Sequence, residues 1–224
     1  MTRPMTQILH ILLIILSFSQ TARAQGNRQH FLILYGFQDG LNTPHNSHTF
    51  ITLAETSGSP FTRDLTALGS QTLSWLPVSA DVRLLRLTPE AGRNYSLPET
   101  LRLAASRNLN IKRWGPIEVS EQFYFAAMNR IALLQSGAIG YVAEDSAYRN
   151  SVYLGQGGGA INCMHAVSDI GGFLRTNIMH GFAASQKIFE HLSQWRLPSP
   201  DNNEWVAAGL GIQYIERADA GLRP

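Results

Sequence analysis

The chain has 224 residues, with 18 Lys and Arg against 16 Asp and Glu, 44% apolar residues and a single cysteine. The apolar share excludes global disorder, and a lone cysteine excludes an internal disulfide. No Lys/Arg stripe with interleaved aromatics is present, so nucleic acid is not an expected partner.

Residues 1–24 read as a secretory signal peptide. Arg3 supplies the positive start, residues 8–18 form an apolar run broken only by His10 and Ser17, and Ala22-Arg23-Ala24 matches an A-x-A cleavage site. The run falls short of the roughly 20 residues that a membrane span requires. No second long apolar stretch follows, so the mature chain is expected to lack a span and to be secreted or periplasmic. Removal of residues 1–24 takes away Arg3 and Arg23 and no acid, leaving 16 basic residues (18 minus 2) against 16 acidic. Residues 25–224 suit one domain with a polar C-terminal tail, large enough for a core without disulfides.

Residues 30–36 form an apolar run ending at Gly36, the pattern of a buried strand. Residues 47–54 alternate, placing His48, Phe50 and Thr52 on one face and Thr49, Ile51 and Leu53 on the other. After an irregular stretch over 56–70, residues 71–76 and 82–87 are further expected strands. Ser96-Leu97-Pro98-Glu99 is a capping box with an early proline and opens a helix to about residue 107. Residues 110–114 are a short strand stopped by Gly115-Pro116. Ser120 caps the clearest helix, 121–135, whose Phe123, Ala126, Ala127, Ile131 and Leu134 follow helical spacing. A strand over 139–143, a polar loop over 144–160, helices over 162–174 and 180–194 and a last strand over 205–215 complete the pass. Strands followed by helices mixed with single strands predict an α+β fold: a small antiparallel sheet packed on helices.

Cys163 carries the sharpest chemical signal. It follows Gly155-Gln156-Gly157-Gly158-Gly159-Ala160-Ile161-Asn162 and opens an expected helix, where unpaired N–H groups favour a thiolate. A thiol nucleophile needs a base and a polar group to orient that base. His48, at the start of a strand after a turn-rich loop, is the better base. His165 lies two residues from Cys163, roughly 200° around a helix, and is poorly placed to serve the same thiol. Gln38, His45, Asn162 and His165 are candidate substrate contacts, with Gln38 a candidate oxyanion donor.

Ser47-His48-Thr49-Phe50 early in the chain and Asn162-Cys163-Met164-His165 late, at a helix start, resemble the circularly permuted papain-like fold. That group includes lecithin-retinol-acyltransferase-like enzymes, the PPPDE peptidases and bacterial families of the same general kind. In it, unlike the NlpC-type cell-wall peptidases, the histidine strand precedes the cysteine helix. The resemblance covers residues 30–174 loosely. It implies Cys163 as nucleophile, His48 as base, and a peptide, cell-wall or lipid-ester substrate, with no cofactor. The third residue departs from the pattern: on the strand after the histidine stand Ser74 and Thr72, with Gln71 at its edge, and not the usual Asn, Gln, Glu or second His. Ser74 is the candidate orienter of His48.

Other readings stand beside this one. The same scaffold serves equally as an exported, non-catalytic binding domain. His45, His48, Cys163 and His165 are residue types that bind zinc, without a familiar spacing. Gly155-x-Gly157-x-x-Ala160 imitates a dinucleotide fingerprint but lacks the βαβ context. Asn94-Tyr95-Ser96 is an N-glycosylation sequon, and Asp169 and Glu118 read as capping or surface charges.

Overall fold

The computed structural model describes residues 28–57, 68–156, 158–175, 180–199 and 201–219. The signal-peptide segment, 1–24, lies outside the described residues. In chain order the strands are β1 (Arg28–Gln38), β2 (His48–Ser57), β3 (Gly69–Leu73), β4 (Trp75–Pro77), β5 (Glu90–Asn94), β6 (Asn110–Val119), β7 (Gly140–Tyr141), β8 (Ala160–Ile161) and β9 (Glu216–Arg217). The α-helices are α1 (Leu97–Ser106), α2 (Glu121–Gln135), α3 (Arg149–Tyr153), α4 (Cys163–Ser168), α5 (Gly181–Leu192) and α6 (Glu204–Gly209). None of the described helices is long and apolar enough to cross a membrane.

Phe31, Leu32, Ile33, Leu34, Tyr35 and Phe37 of β1 are all buried, and a strand apolar on both faces needs cover on two sides. β1 accordingly forms the centre of a five-stranded sheet of order β3-β2-β1-β6-β9. One face carries Leu32, Leu34, Ile51 and Leu53 into a core with α2, α4 and α5. The other carries Phe31, Ile33, Tyr35, Phe37 and Phe50 against Ala104 of α1 and Val206 and Ala207 of α6. The class is α+β, but the sheet is not wholly antiparallel. A second sheet of order β4-β5-β7-β8 stands beside the first, and β9 and β8 join β6 and β7 in parallel.

Several expected elements differ. β6 does not stop at Gly115-Pro116 but runs to Val119. The proline, which has no N–H to donate, sits in a bulge where Leu32 and Leu34 pair with Ile117 and Trp114. Gly115 has φ +80°, and a Cβ there would lie 2.8 Å from the Leu32 carbonyl oxygen. Residues 82–87 form a loop and not a strand. Their arginines pair locally, Arg83 with Asp81 and Arg86 with Glu90, and they join neither sheet among the described residues.

Residues 205–215 contain α6 in place of a strand: Val206 and Ala207 bury one helical turn, and Glu204 is tied to Arg113. The helix expected over 162–174 ends at Ser168. β5 and α3 carry weak sequence signals and are additional to the expected set. On α2 the buried face uses Arg130 instead of Ala126.

Trp75 of β4 ties the two ends of the second sheet together by reaching the end of β8. Its indole N–H donates to the Ile161 carbonyl oxygen at 3.1 Å, and its ring covers Gly92 so closely that a Cβ at Gly92 would lie 2.0 Å from Cζ2. Overpacking of a fixed core position costs about 1–3 kcal/mol. Gly92→Ala is therefore expected to lower the urea midpoint and the Tm by several degrees; an unchanged melt would contradict this packing.

Candidate functional site

The site begins where β3 leaves β2. Pairing between them runs from Glu55↔Gly69 to Ile51↔Leu73 and stops there. At Ser74 the chain turns into β4 of the second sheet, and the Asn94 side chain bridges the break. Its Oδ1 accepts from Ser74 N at 2.8 Å, and its Nδ2 donates to the Thr72 carbonyl oxygen at 2.8 Å. Tyr95 N donates to the Ser74 carbonyl oxygen. Ser74 is fully buried, and its Oγ accepts from Thr100 Oγ1 at 2.8 Å and lies 2.9 Å from His48 Nε2. Asn94 of the sequon is thus engaged with the main chain on both sides of its amide.

His48 lies between aromatic neighbours, with ring centroids 5.1 Å from Phe37 and 5.4 Å from Phe50. It is 2% exposed. Its Nδ1 is buried without a hydrogen-bond partner among the described residues. Burial disfavours the imidazolium and lowers the His48 pKa to about 3.

Because β3 has departed, the start of β2 is open to α4. Cys163 is the first residue of that helix and is 7% exposed. Burial pushes its thiol pKa up to about 11, against the opposing pull of backbone N–H groups of Thr49, Met164 and Cys163 itself directed at the sulfur. Thr49, one of those groups, follows His48 in sequence. His48 and Cys163 open onto one cleft of about 1060 Å³, whose lining also includes Ser47, Tyr141, Asp145, Asn162, Met164 and His165.

Asp145 organises the entry to α4. Its Oδ2 accepts from Asn162 N at 2.9 Å, and both its oxygens lie within 2.9 Å of His165 Nδ1. Asn162 caps the helix, Oδ1 accepting from His165 N at 2.9 Å, and Nδ2 donates to the Ala143 carbonyl oxygen. Asn162 and His165 are therefore cleft residues whose polar atoms largely serve the protein.

Two other candidates stand apart. Gln38 Oε1 accepts from Phe182 N at 2.8 Å, capping the start of α5 outside the cleft lining. His45 sits in the 3-10 turn Pro44–Asn46, hydrogen-bonded to Asn46, and faces a shallower groove shared with residues 82–86 and Thr88.

Asp169 is not a surface charge. It is buried and ion-paired with Arg149, whose Nε donates to Oδ2 at 3.0 Å, while Arg149 also donates to the Leu174 carbonyl oxygen at 2.7 Å. Arg130 lies near the same pair, and its Nη1 has no partner among the described residues. Asp145, Asn94, Thr100 and Arg149 were missed in the sequence because a lone polar residue in a loop or at a strand end breaks no periodicity. No group of three or more His, Cys, Asp or Glu gathers as metal ligands among the described residues.

The buried histidine has a measurable signature. An unfolded His binds a proton near pH 6.5, whereas folded His48 resists until about pH 3. The unfolded state thus holds more protons in that window, so the stabilising contribution is complete above pH 6.5 and is lost as pH falls towards 3. Between pH 6.5 and 4.5, His48→Gln is expected to remove about 2 kcal/mol of the acid-dependent loss seen in the parent, measured by urea unfolding. Identical slopes for parent and variant would contradict a buried neutral imidazole.

No protein-family model, curated protein or solved structure matches the chain.

Proposed function

We propose that the protein is a secreted or periplasmic cysteine hydrolase or acyltransferase of permuted papain-like type, with Cys163 as nucleophile, His48 as base and Ser74 as the group that orients the base. The observation that carries this reading is the shared cleft. Cys163 and His48 both line it, the buried His48 Nδ1 has no hydrogen-bond partner among the described residues, and Nε2 lies against Ser74 Oγ.

In the tautomer that donates Nε2–H to Ser74, Nδ1 carries the lone pair. The resting pair is neutral, because burial raises the thiol and lowers the imidazole. Chemistry then proceeds by general-base transfer, not from a stored ion pair. His48 Nδ1 takes the thiol proton as sulfur bonds to the acyl carbon. Backbone N–H groups at the start of α4 receive the oxyanion. The bond to the leaving oxygen or nitrogen breaks, and the imidazolium returns its proton to that atom. Water or another acceptor, deprotonated by His48, then attacks the thioester; the carbon–sulfur bond breaks and the imidazolium returns its proton to the Cys163 sulfur.

The same burial favours a second reading, a non-catalytic exported binding domain in which the thiol and imidazole are packing groups. Substitution separates the two. Cys163→Ala and His48→Gln are each expected to lower ester or amide turnover at least about 100-fold while the chain remains folded by circular dichroism. Retention of activity in Cys163→Ala would remove the hydrolase reading.

A thiol pKa of about 11 also sets the expected labelling rate. Iodoacetamide should modify native Cys163 on the order of 100-fold more slowly at pH 7 than a free cysteine, accelerating as pH rises towards 11. Rapid labelling at pH 7 would show a preformed thiolate instead.

A further inference from the structure

Helix α2 turns one face to the core, and that face carries Phe123, Ala127, Arg130, Ile131 and Leu134. The arginine stands at the spacing of a core residue among apolar neighbours. Arg130 is 9% exposed, no ion pair among the described residues includes it, and its Nη1 is buried without a hydrogen-bond partner among them. Burial opposes the charge and lowers the Arg130 pKa, yet a guanidinium keeps its proton in a protein. An interior charge that cannot neutralise itself needs a partner of opposite sign.

The neighbouring groups do not supply one. Asp169 is the carboxylate near Arg130, and Arg149 is a second guanidinium beside it. Arg149 occupies both oxygens of Asp169, Nε donating to Oδ2 at 3.0 Å and Nη2 to Oδ1. Arg149 also donates to the Leu174 carbonyl oxygen at 2.7 Å and lies 3.9 Å over the Phe173 ring. Two buried cations against one buried carboxylate leave one positive charge (2 minus 1) in the interior. Ser168, which precedes Asp169, is fully buried as well, and its Oγ has no partner among the described residues.

We infer that Arg130, with the Arg149–Asp169 pair beside it, forms a buried site for one small monovalent anion of the halide class, received by Arg130 Nη1. The charge count sets the valence. One negative charge brings the cluster to neutrality, whereas a dianion would turn an excess of one positive charge into an excess of one negative and leave it equally buried. Burial sets the size: a spherical ion needs no more than the donor it meets, while an organic carboxylate would carry its body into the core. Arg149 also lines the cleft, which gives the ion a route from solvent.

Thermal unfolding of the parent and of Arg130→Met in sodium gluconate, chloride, bromide and sulfate at one ionic strength tests the site. The variant reports the general effect of each salt. Relative to it, the parent is expected to gain several degrees in Tm on exchange of gluconate, too bulky to enter, for chloride or bromide, because a ligand of the folded state alone stabilises that state. Sulfate, excluded from protein surfaces, should raise both proteins alike. In gluconate, Arg130→Met should melt at or above the parent, since it removes an unmatched buried charge.

Chlorine NMR reads binding directly. The parent should broaden the chloride line, and bromide should sharpen it again. Arg130→Lys, which keeps the charge and loses Nη1, should weaken that binding severalfold, so the site is tested even where the methionine variant does not fold. None of these readouts needs turnover at Cys163. An equal chloride response in parent and Arg130→Met, a chloride line that the parent leaves sharp, or broadening that Arg130→Lys leaves unchanged would overturn the inference.

Discussion

The parting of β3 from β2 at Ser74 is the constraint on which the rest of the site depends. A strand edge left open exposes main-chain donors that must find partners. Here the opening is filled from two directions. The Asn94 amide stands in for the missing strand by bonding Thr72 and Ser74 on either side of the break, and α4, which opens with Cys163, packs on β2. The same departure points Ser74 Oγ at the imidazole of His48. One local change of strand partner thus sets the surroundings of His48, Ser74 and the start of α4.

Buried charge completes the frame. Asp145 binds both the backbone of Asn162 and the ring of His165, so the residues on either side of Cys163 are held by one carboxylate. Asp169, at the end of α4, is held by Arg149 from α3. Such pairs add little net stability compared with apolar substitutes, but breaking one leaves an uncompensated charge in the interior. Their effect is to specify where a six-residue helix begins and ends. Intrinsic helix formation cannot do that for so short a segment.

Much of the frame was legible in the sequence. The apolar run of β1, the alternation of β2, the capping box before α1 and the Ser120 cap of α2 are local signals, and each element forms where its pattern lies. Elements defined by partners read less well. The 82–87 segment has strand-like residues, yet no edge receives it. The 205–215 segment is apolar enough for a strand, yet the Glu204–Arg113 pair and the second face of β1 hold its start as a helix. At the site, Cys163, His48, Ser74 and Asn162 were visible as residue types at element ends. Asp145 and Asn94 were not, because their partners lie 17 to 22 positions away and leave no periodic trace.

The double engagement of Asn94 also bears on how the chain can be produced. Asn94-Tyr95-Ser96 satisfies the sequon on paper, and in a eukaryotic secretory route sugar would be attached to the nascent chain before β4 and β5 have met. A glycosylated amide keeps one hydrogen where two were present and carries a bulky branch into a half-buried seam. Material made in such a host would carry its sugar at a side chain that sutures the two sheets, whereas a host without N-glycosylation would leave that suture intact.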